Sequence, residues 1–471
     1  MMKFDFDAEL IGSDGVTLPA YCEVQLPHVG GQKASIYLAV PSRHLTGEPP
    51  SNPCTLMGKS GAFSISMNGV HWRQFPVSPK GLIGLAAIDI SHVSRLTLQC
   101  RSQDANREIR FHLAPISYLR SESNFVHFGD RSQSTELFSM DLPDFGETKF
   151  VSDWMTVYHR DAEIPGATVV AGFCAVAALP PDASSDIDLV VAKFRRSLEV
   201  LSVLFRQAVT LHGWTYTDGA TVSTWINPLD PNVTPSARED RGKYVVKPQV
   251  FVECATGLAH AYGKTSEETR SLVRHVLVAV NPHTKSRIGD RFLFMFSALE
   301  RVIESAWKRD QTLRSPAVTD NAIAELLGQL NATVVAENGE YASEISARLE
   351  GFIKTVNSGA SVRDKVSAFF RVYPAMSCAD LWPILGAGKE RGLRDVRHAL
   401  AHGRSTFVSL DVVAVAEWHL AILLERLIFV LLGMSTPDGI SPGSNMLRTG
   451  GMGWYEWGQW HPMRSKPDQS I

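Results

Sequence analysis

Cysteine is scarce in this chain of 471 residues: Cys22, Cys54, Cys100, Cys174, Cys254 and Cys378 are widely scattered and none forms a CxxC pair. That spacing argues against a zinc ribbon and against a disulfide-knit scaffold. Charge of one sign is missing as well. The formal net charge is −3, so no global basic field advertises nucleic acid, and any basic site has to be local. A long apolar run is also absent. The most apolar stretch, Leu420 to Met434, is interrupted by Glu425 and Arg426, which fits a buried amphipathic helix better than a membrane span. The first residues, Met1-Met2-Lys3-Phe4-Asp5-Phe6-Asp7, alternate apolar and charged side chains and lack the apolar core of a signal peptide, so a cytoplasmic location is expected. No internal repeat and no low-complexity tract is visible.

What is present is ordinary folded-protein composition, 44% hydrophobic and 20% charged residues. The length suits several domains of roughly 100–200 residues each. Residues 1–182 read as a β-rich domain. Val16 to Leu26, Ala34 to Val40, Ala62 to Met67, Leu82 to Ile90, Arg95 to Cys100 and Thr168 to Leu179 are short β-branched or apolar runs, punctuated by Gly, Pro, Ser and Asn. Asn68-Gly69 after an alternating run signals a hairpin. A sandwich or an open barrel is expected. Residues 183–264 read as a helix over Ile187 to His212, ended by Gly213, and an irregular connecting region. In that region Thr215 to Arg241 is either a loop or a short β-insertion.

Residues 265–435 read as all helix. Asp290 to Arg309 carries Phe292, Phe296, Leu299, Val302, Ile303 and Ala306 on one broad face. Asp320 to Leu330, Tyr341 to Val356, Ser361 to Val372, Gly392 to Gly403 and Leu410 to Gly433 complete the set. Residues 436–471 form a tail rich in Gly, Pro and Ser that holds Trp454, Tyr455, Trp457 and Trp460, aromatics that dock on the body or stack on a base. The fold class is therefore α+β multidomain, a β-rich N-terminal part followed by a helical bundle.

The densest chemistry lies in Arg394-Asp395-Val396-Arg397-His398-Ala399-Leu400-Ala401-His402-Gly403. His398 and His402 are one helical turn apart and share a face. Histidine gives and takes protons near neutral pH. Arginine holds the non-bridging oxygens of a phosphate as it gains charge. Those two groups are what metal-free RNA cleavage requires: a 2′-OH is deprotonated, the charge on phosphorus is stabilised, and the leaving 5′-oxygen is protonated. On this reading Arg397 stabilises the phosphate, His402 transfers protons and His398 assists.

Arg397-x4-His402 resembles the R-x(4–6)-H motif of HEPN domains, with the polar His398 after the arginine and Gly403 after the last histidine. Upstream, Phe292-Leu293-Phe294-Met295-Phe296-Ser297-Ala298-Leu299-Glu300-Arg301 resembles the "alE" helix of the Apea-like HEPN group. The resemblance covers about residues 265–435. It implies an all-helical domain, ribonuclease activity without metal or cofactor, and products with a 2′,3′-cyclic phosphate and a 5′-OH. It also implies a homodimer whose two motif helices form one cleft, and a role in prokaryotic abortive infection against phage, with the N-terminal domain sensing a phage-derived trigger or regulating the nuclease. Arg394 and Glu300 are the expected substrate-binding residues beside the catalytic set.

Rival readings use the same residues. Arg397 and His402 equally suit a solvated helix end, where cations are favoured. A non-catalytic HEPN module binding RNA, a nucleotide or a protein would keep the fold without turnover. His398 and His402 also form an H-x3-H pair, but Ala399 stands where a zinc hydrolase needs Glu, and a third ligand would have to come from His419 or Glu417. Asp395 reads as a surface acid. Gly58-Lys59-Ser60 is no phosphate loop, because Pro53 stands where the first glycine belongs.

Overall fold

A computed structural model describes residues 2–26, 33–45, 49–76, 84–101, 107–114, 134–159, 166–180, 186–206, 209–229, 245–246, 248–281, 287–310, 320–336, 341, 343–349, 361–376, 378, 380–386, 391–403 and 410–437. The Trp-containing tail expected to dock lies outside the described residues. The chain divides into two compact units, one built on Met1–Thr265 and one on the helices from Ser266 onward.

Among the described residues the first unit holds one antiparallel sheet of twelve strands: β1 (Met2–Ile11), β2 (Thr17–Leu26), β3 (Ser35–Pro41), β4 (Cys54–Ser60), β5 (Phe63–Gln74), β6 (Leu85–Arg101), β7 (Glu108–Leu113), β8 (Ser134–Leu142), β9 (Gly146–His159), β10 (Gly166–Ala178), β11 (Leu211–Thr217) and β12 (Ala220–Ile226). Their order is β3-β2-β1-β4-β5-β6-β12-β11-β7-β10-β9-β8, and a further β3–β6 pairing closes the first six into a barrel. Closure replaces the expected sandwich or open barrel. It depends on β6, expected as two strands, being one strand of 17 residues that pairs with β5 along one edge and serves two partners on the other. Leu85 to Ile88 pair with β3, and Arg95 to Arg101 pair with β12. Alternate residues fill the barrel, as a period of two requires: Phe6, Ala8 and Leu10 on β1, and Ala20, Cys22, Val24 and Leu26 on β2.

Two local signals resolve differently from expectation. Asn68-Gly69 turns no hairpin. It lies inside β5, where Cys54 pairs with Val70 and Leu56 with Met67, so β5 carries one extra residue against β4. Gly69 has φ +63°, and a Cβ there would come within 2.3 Å of the Ser94 hydroxyl oxygen, so the Asn-Gly pair makes a bulge. Likewise the helix expected to reach His212 ends earlier. α1 (Ile187–Leu204) stops where Arg206 takes φ +48°, and His212 and Gly213 lie in β11. The segment 183–264 thus supplies α1, two strands of the sheet and α2 (Phe251–Lys264). Phe194 of α1 lies flat on Phe111 of β7 with ring centres 3.6 Å apart, and Phe145 meets both rings edge-on.

The second unit is helical: α3 (Glu267–Val280), α4 (Ile288–Arg309), α5 (Asp320–Ala336), α6 (Val362–Val372), α7 (Leu393–Ala401) and α8 (Leu410–Leu431), with further helical residues over 343–349. α4 is the hub and packs on α3, α6, α7 and α8. Its buried face is Phe292, Met295, Phe296, Leu299, Val302, Ile303 and Ala306, the i, i+3, i+4 pattern of an amphipathic helix. α8 is buried along nearly its whole length, charges included: Glu417, His419, Glu425 and Arg426 are each at most 3% exposed. Among the described residues no helix is long and apolar enough to cross a membrane.

Candidate active site

α7 carries the arginine–histidine motif, and its position is fixed through a chain of hydrogen bonds that begins in α8. Arg426 of α8, its side chain 4% exposed, makes a two-pronged ion pair with Asp380 at 2.6 and 2.7 Å. Two residues on, the Trp382 backbone N–H donates to Nδ1 of the buried His419 at 3.2 Å, and its indole N–H donates to the Arg391 carbonyl at 2.6 Å. The first N–H groups of α7 then find acceptors in the same segment: Leu393 donates to Pro383 O and Arg394 to Ile384 O, at 2.9 and 3.0 Å. Gly392 permits this approach, since a Cβ there would meet the backbone of Gly386, Ile384 and Leu385 at 2.5 to 2.7 Å. Asp395, read as a surface acid, instead accepts the Gly392 N–H at 2.8 Å and so fixes the start of the helix.

At its other end α7 stops at Ala401, with His402 as the flanking residue and Gly403 at φ +65°, the left-handed conformation in which helices commonly end. His402 donates its backbone N–H to His398 O at 3.2 Å, and the two imidazoles lie 4.3 Å apart between centres. Both histidines are exposed.

Arg394, Arg397 and His398 face a cavity of about 350 Å³ between α4, α6 and α7, and Glu300 lines it from α4. Of the five expected site residues, four therefore meet in one place. His402 does not line the cavity; its ring centre lies 4.3 Å from that of His398, which does. Glu300 lies 3.5 Å from the Arg397 guanidinium, with side-chain exposures of 48% and 37%, so the pair is a solvated, long ion pair that a stronger anion can displace.

Sequence reasoning missed two further polar residues of the cavity. Glu304 lies one turn beyond Glu300 on α4, and Lys365 comes from α6; they pair at 2.7 Å. The spacing Glu300-x3-Glu304 was the available signal for the first. Lys365 had none, because its neighbour in space is 61 positions away in the chain. Among the described residues the cavity is lined by three permanent cations and two carboxylates, one net positive charge before His398 is counted.

The residues named as third ligands for an H-x3-H metal site are engaged elsewhere. Glu417 lies 3.7 Å from Arg291, and His419 holds the Trp382 N–H. Among the described residues, no three His, Cys, Asp or Glu side chains converge in a way that could hold a metal ion. Gly58-Lys59-Ser60 is part of β4, an extended segment with no helix behind it. The chain matches no known family, no curated protein and no solved structure.

Proposed function

We propose that the helical unit is a metal-independent endoribonuclease of the HEPN type, acting in abortive infection, with the β-rich unit as its sensor or regulator. The observation that carries the reading is the meeting of Arg394, Arg397 and His398 at one cavity, with the His402 imidazole 4.3 Å from that of His398. In this mechanism a phosphodiester displaces Glu300 from Arg397, and the guanidinium holds the non-bridging oxygens as charge builds on phosphorus. His402 moves the proton between the 2′-OH and the leaving 5′-oxygen, and His398 assists as its neighbour. Arg394 adds a second cation along the strand. Cleavage leaves a 2′,3′-cyclic phosphate and a 5′-OH.

A second copy of the chain is part of the proposal, because α7 offers its two histidines outward and a two-fold partner would double the set into one cleft. Regulation is part of it too, since an unrestrained ribonuclease would harm its own cell.

The test is incubation of the purified chain with structured and unstructured RNA in EDTA, alone and with extract of phage-infected cells. Cleavage that falls by roughly 100-fold or more in Arg397→Ala and in His402→Ala, with unchanged circular dichroism, is the expected result. Cleavage that survives both substitutions would overturn it. Tight RNA binding with no cleavage in any condition would favour a non-catalytic module.

A further inference from the structure

The cavity beside α7 has more in it than a phosphate needs. A phosphate site requires cations and N–H donors alone, yet this one has an apolar floor of Phe296, Ile303 and Val366 and a carboxylate–ammonium pair, Glu304 and Lys365, on its wall. At about 350 Å³ it is at the small end of the roughly 300–1,000 Å³ typical of small-molecule sites, with room for one nucleotide unit. Its charge points the same way. The described lining residues carry one net positive charge before His398 is counted, which balances a single phosphodiester and is badly matched to the several negative charges of a nucleoside triphosphate.

We infer that this cavity binds a single guanosine unit of the RNA, its base on the apolar floor against Phe296 and its phosphate on Arg397. The choice of base follows from the wall. Glu304 can accept and Lys365 can donate, and the 2.7 Å contact between them holds acceptor and donor side by side. Among the four RNA bases, guanine alone offers two adjacent N–H donors next to a carbonyl acceptor on its Watson–Crick edge. The carboxylate takes the two donors and the ammonium takes the carbonyl. Adenine and cytosine each offer only one donor group there, and uracil places its one donor between two acceptors. Single-stranded bases are commonly read in this way, by stacking and by hydrogen bonds to the exposed edge.

The inference rests on the ribonuclease reading only for the polymer that supplies the nucleotide. Titration calorimetry of the full chain with 3′-GMP, 3′-AMP, 3′-CMP and 3′-UMP tests it. A good two-pronged base contact predicts that 3′-GMP binds at least about 10-fold more tightly than the others. Glu304→Gln should abolish the preference for 3′-GMP while 3′-AMP binds at least as tightly as before, which a merely misfolded variant would not do. Ile303→Trp, which fills the floor, should weaken all four. Equal binding of the four, no binding at millimolar concentration, or a guanosine preference that survives Glu304→Gln overturns the inference. Base-indifferent RNA cleavage lost in Arg397→Ala would sink the guanosine site and leave the nuclease. Guanosine-selective binding without cleavage would do the reverse.

Discussion

Asp380→Ala should loosen α7 without touching the cavity. Its partner Arg426 has a side chain 4% exposed and is held by two short bonds, so the substitution leaves a guanidinium buried without its carboxylate. Removing one member of a fully buried pair costs about 3–5 kcal/mol. Asp380 itself is 31% exposed, which admits some water and places the cost at the low end, about 3 kcal/mol. Because the chain has two units, a single unfolding midpoint would blur the effect, whereas hydrogen exchange reads it locally. The backbone N–H groups of Trp382, Leu393 and Arg394 are the reporters, since each is bonded to a partner that the ion pair holds in place. A loss of about 3 kcal/mol corresponds to exchange faster by somewhat more than 100-fold at these amides. The double variant Asp380→Ala, Arg426→Met also removes the guanidinium that Asp380 had paired and should recover most of that loss. Exchange within three-fold of wild type in Asp380→Ala would refute the reasoning, as would a double variant worse than the single. If α7 depends on this pair as argued, RNA cleavage should fall in Asp380→Ala and return in the double variant.

Three other outcomes follow from the same structure. Burial pushes His419 down to about 4 in the folded chain against 6.5 for the free side chain, so its contribution is intact above pH 6.5. It is lost as the pH falls towards 4, at about 1.4 kcal/mol per pH unit. His419→Asn keeps an acceptor for the Trp382 N–H and should flatten the acid limb of the helical unit's thermal stability between pH 6.5 and 4; an unchanged limb would show that His419 is not its source. His212 is likewise pushed down to about 4 by burial, and it gives the β-rich unit an acid sensitivity of the same sign, which His212→Asn should reduce in the same measurement. Gly69→Ala forces a Cβ into a residue at φ +63° and against the Ser94 side chain, and should cost about 1–3 kcal/mol in chemical denaturation. Adding Ser94→Gly should restore part of that loss.

The residues that could be read in the sequence are those whose partners lie within a turn or a strand of them. β2 was legible because one of its faces is buried, and a two-residue period records that face directly. Arg394, Arg397 and His398 were legible because helical spacing alone brings them to one face. Barrel closure was not, since the β3–β6 pairing joins residues such as Leu38 and Ile88 that no local pattern connects. Asn68-Gly69 shows the limit well. The local code asks only for a residue with positive φ, and a hairpin and a bulge both satisfy it; the decision belongs to β4 and β6, which pair with β5 on either side.

The same limit explains the helical unit. Glu425 and Arg426 looked like breaks in an apolar run because the residue that neutralises Arg426, Asp380, lies 46 positions earlier. In the folded chain that pair does what the apolar run could not do. Apolar packing is tolerant of sliding, whereas a buried two-pronged ion pair fixes distance and angle together. Through Trp382, Pro383 and Ile384 that constraint passes to the first turn of α7, and from there to Arg394 and Arg397 at the cavity. The segment from Asp380 to Ile384 contributes no charged group to the cavity, yet it sets where Arg394 and Arg397 can stand.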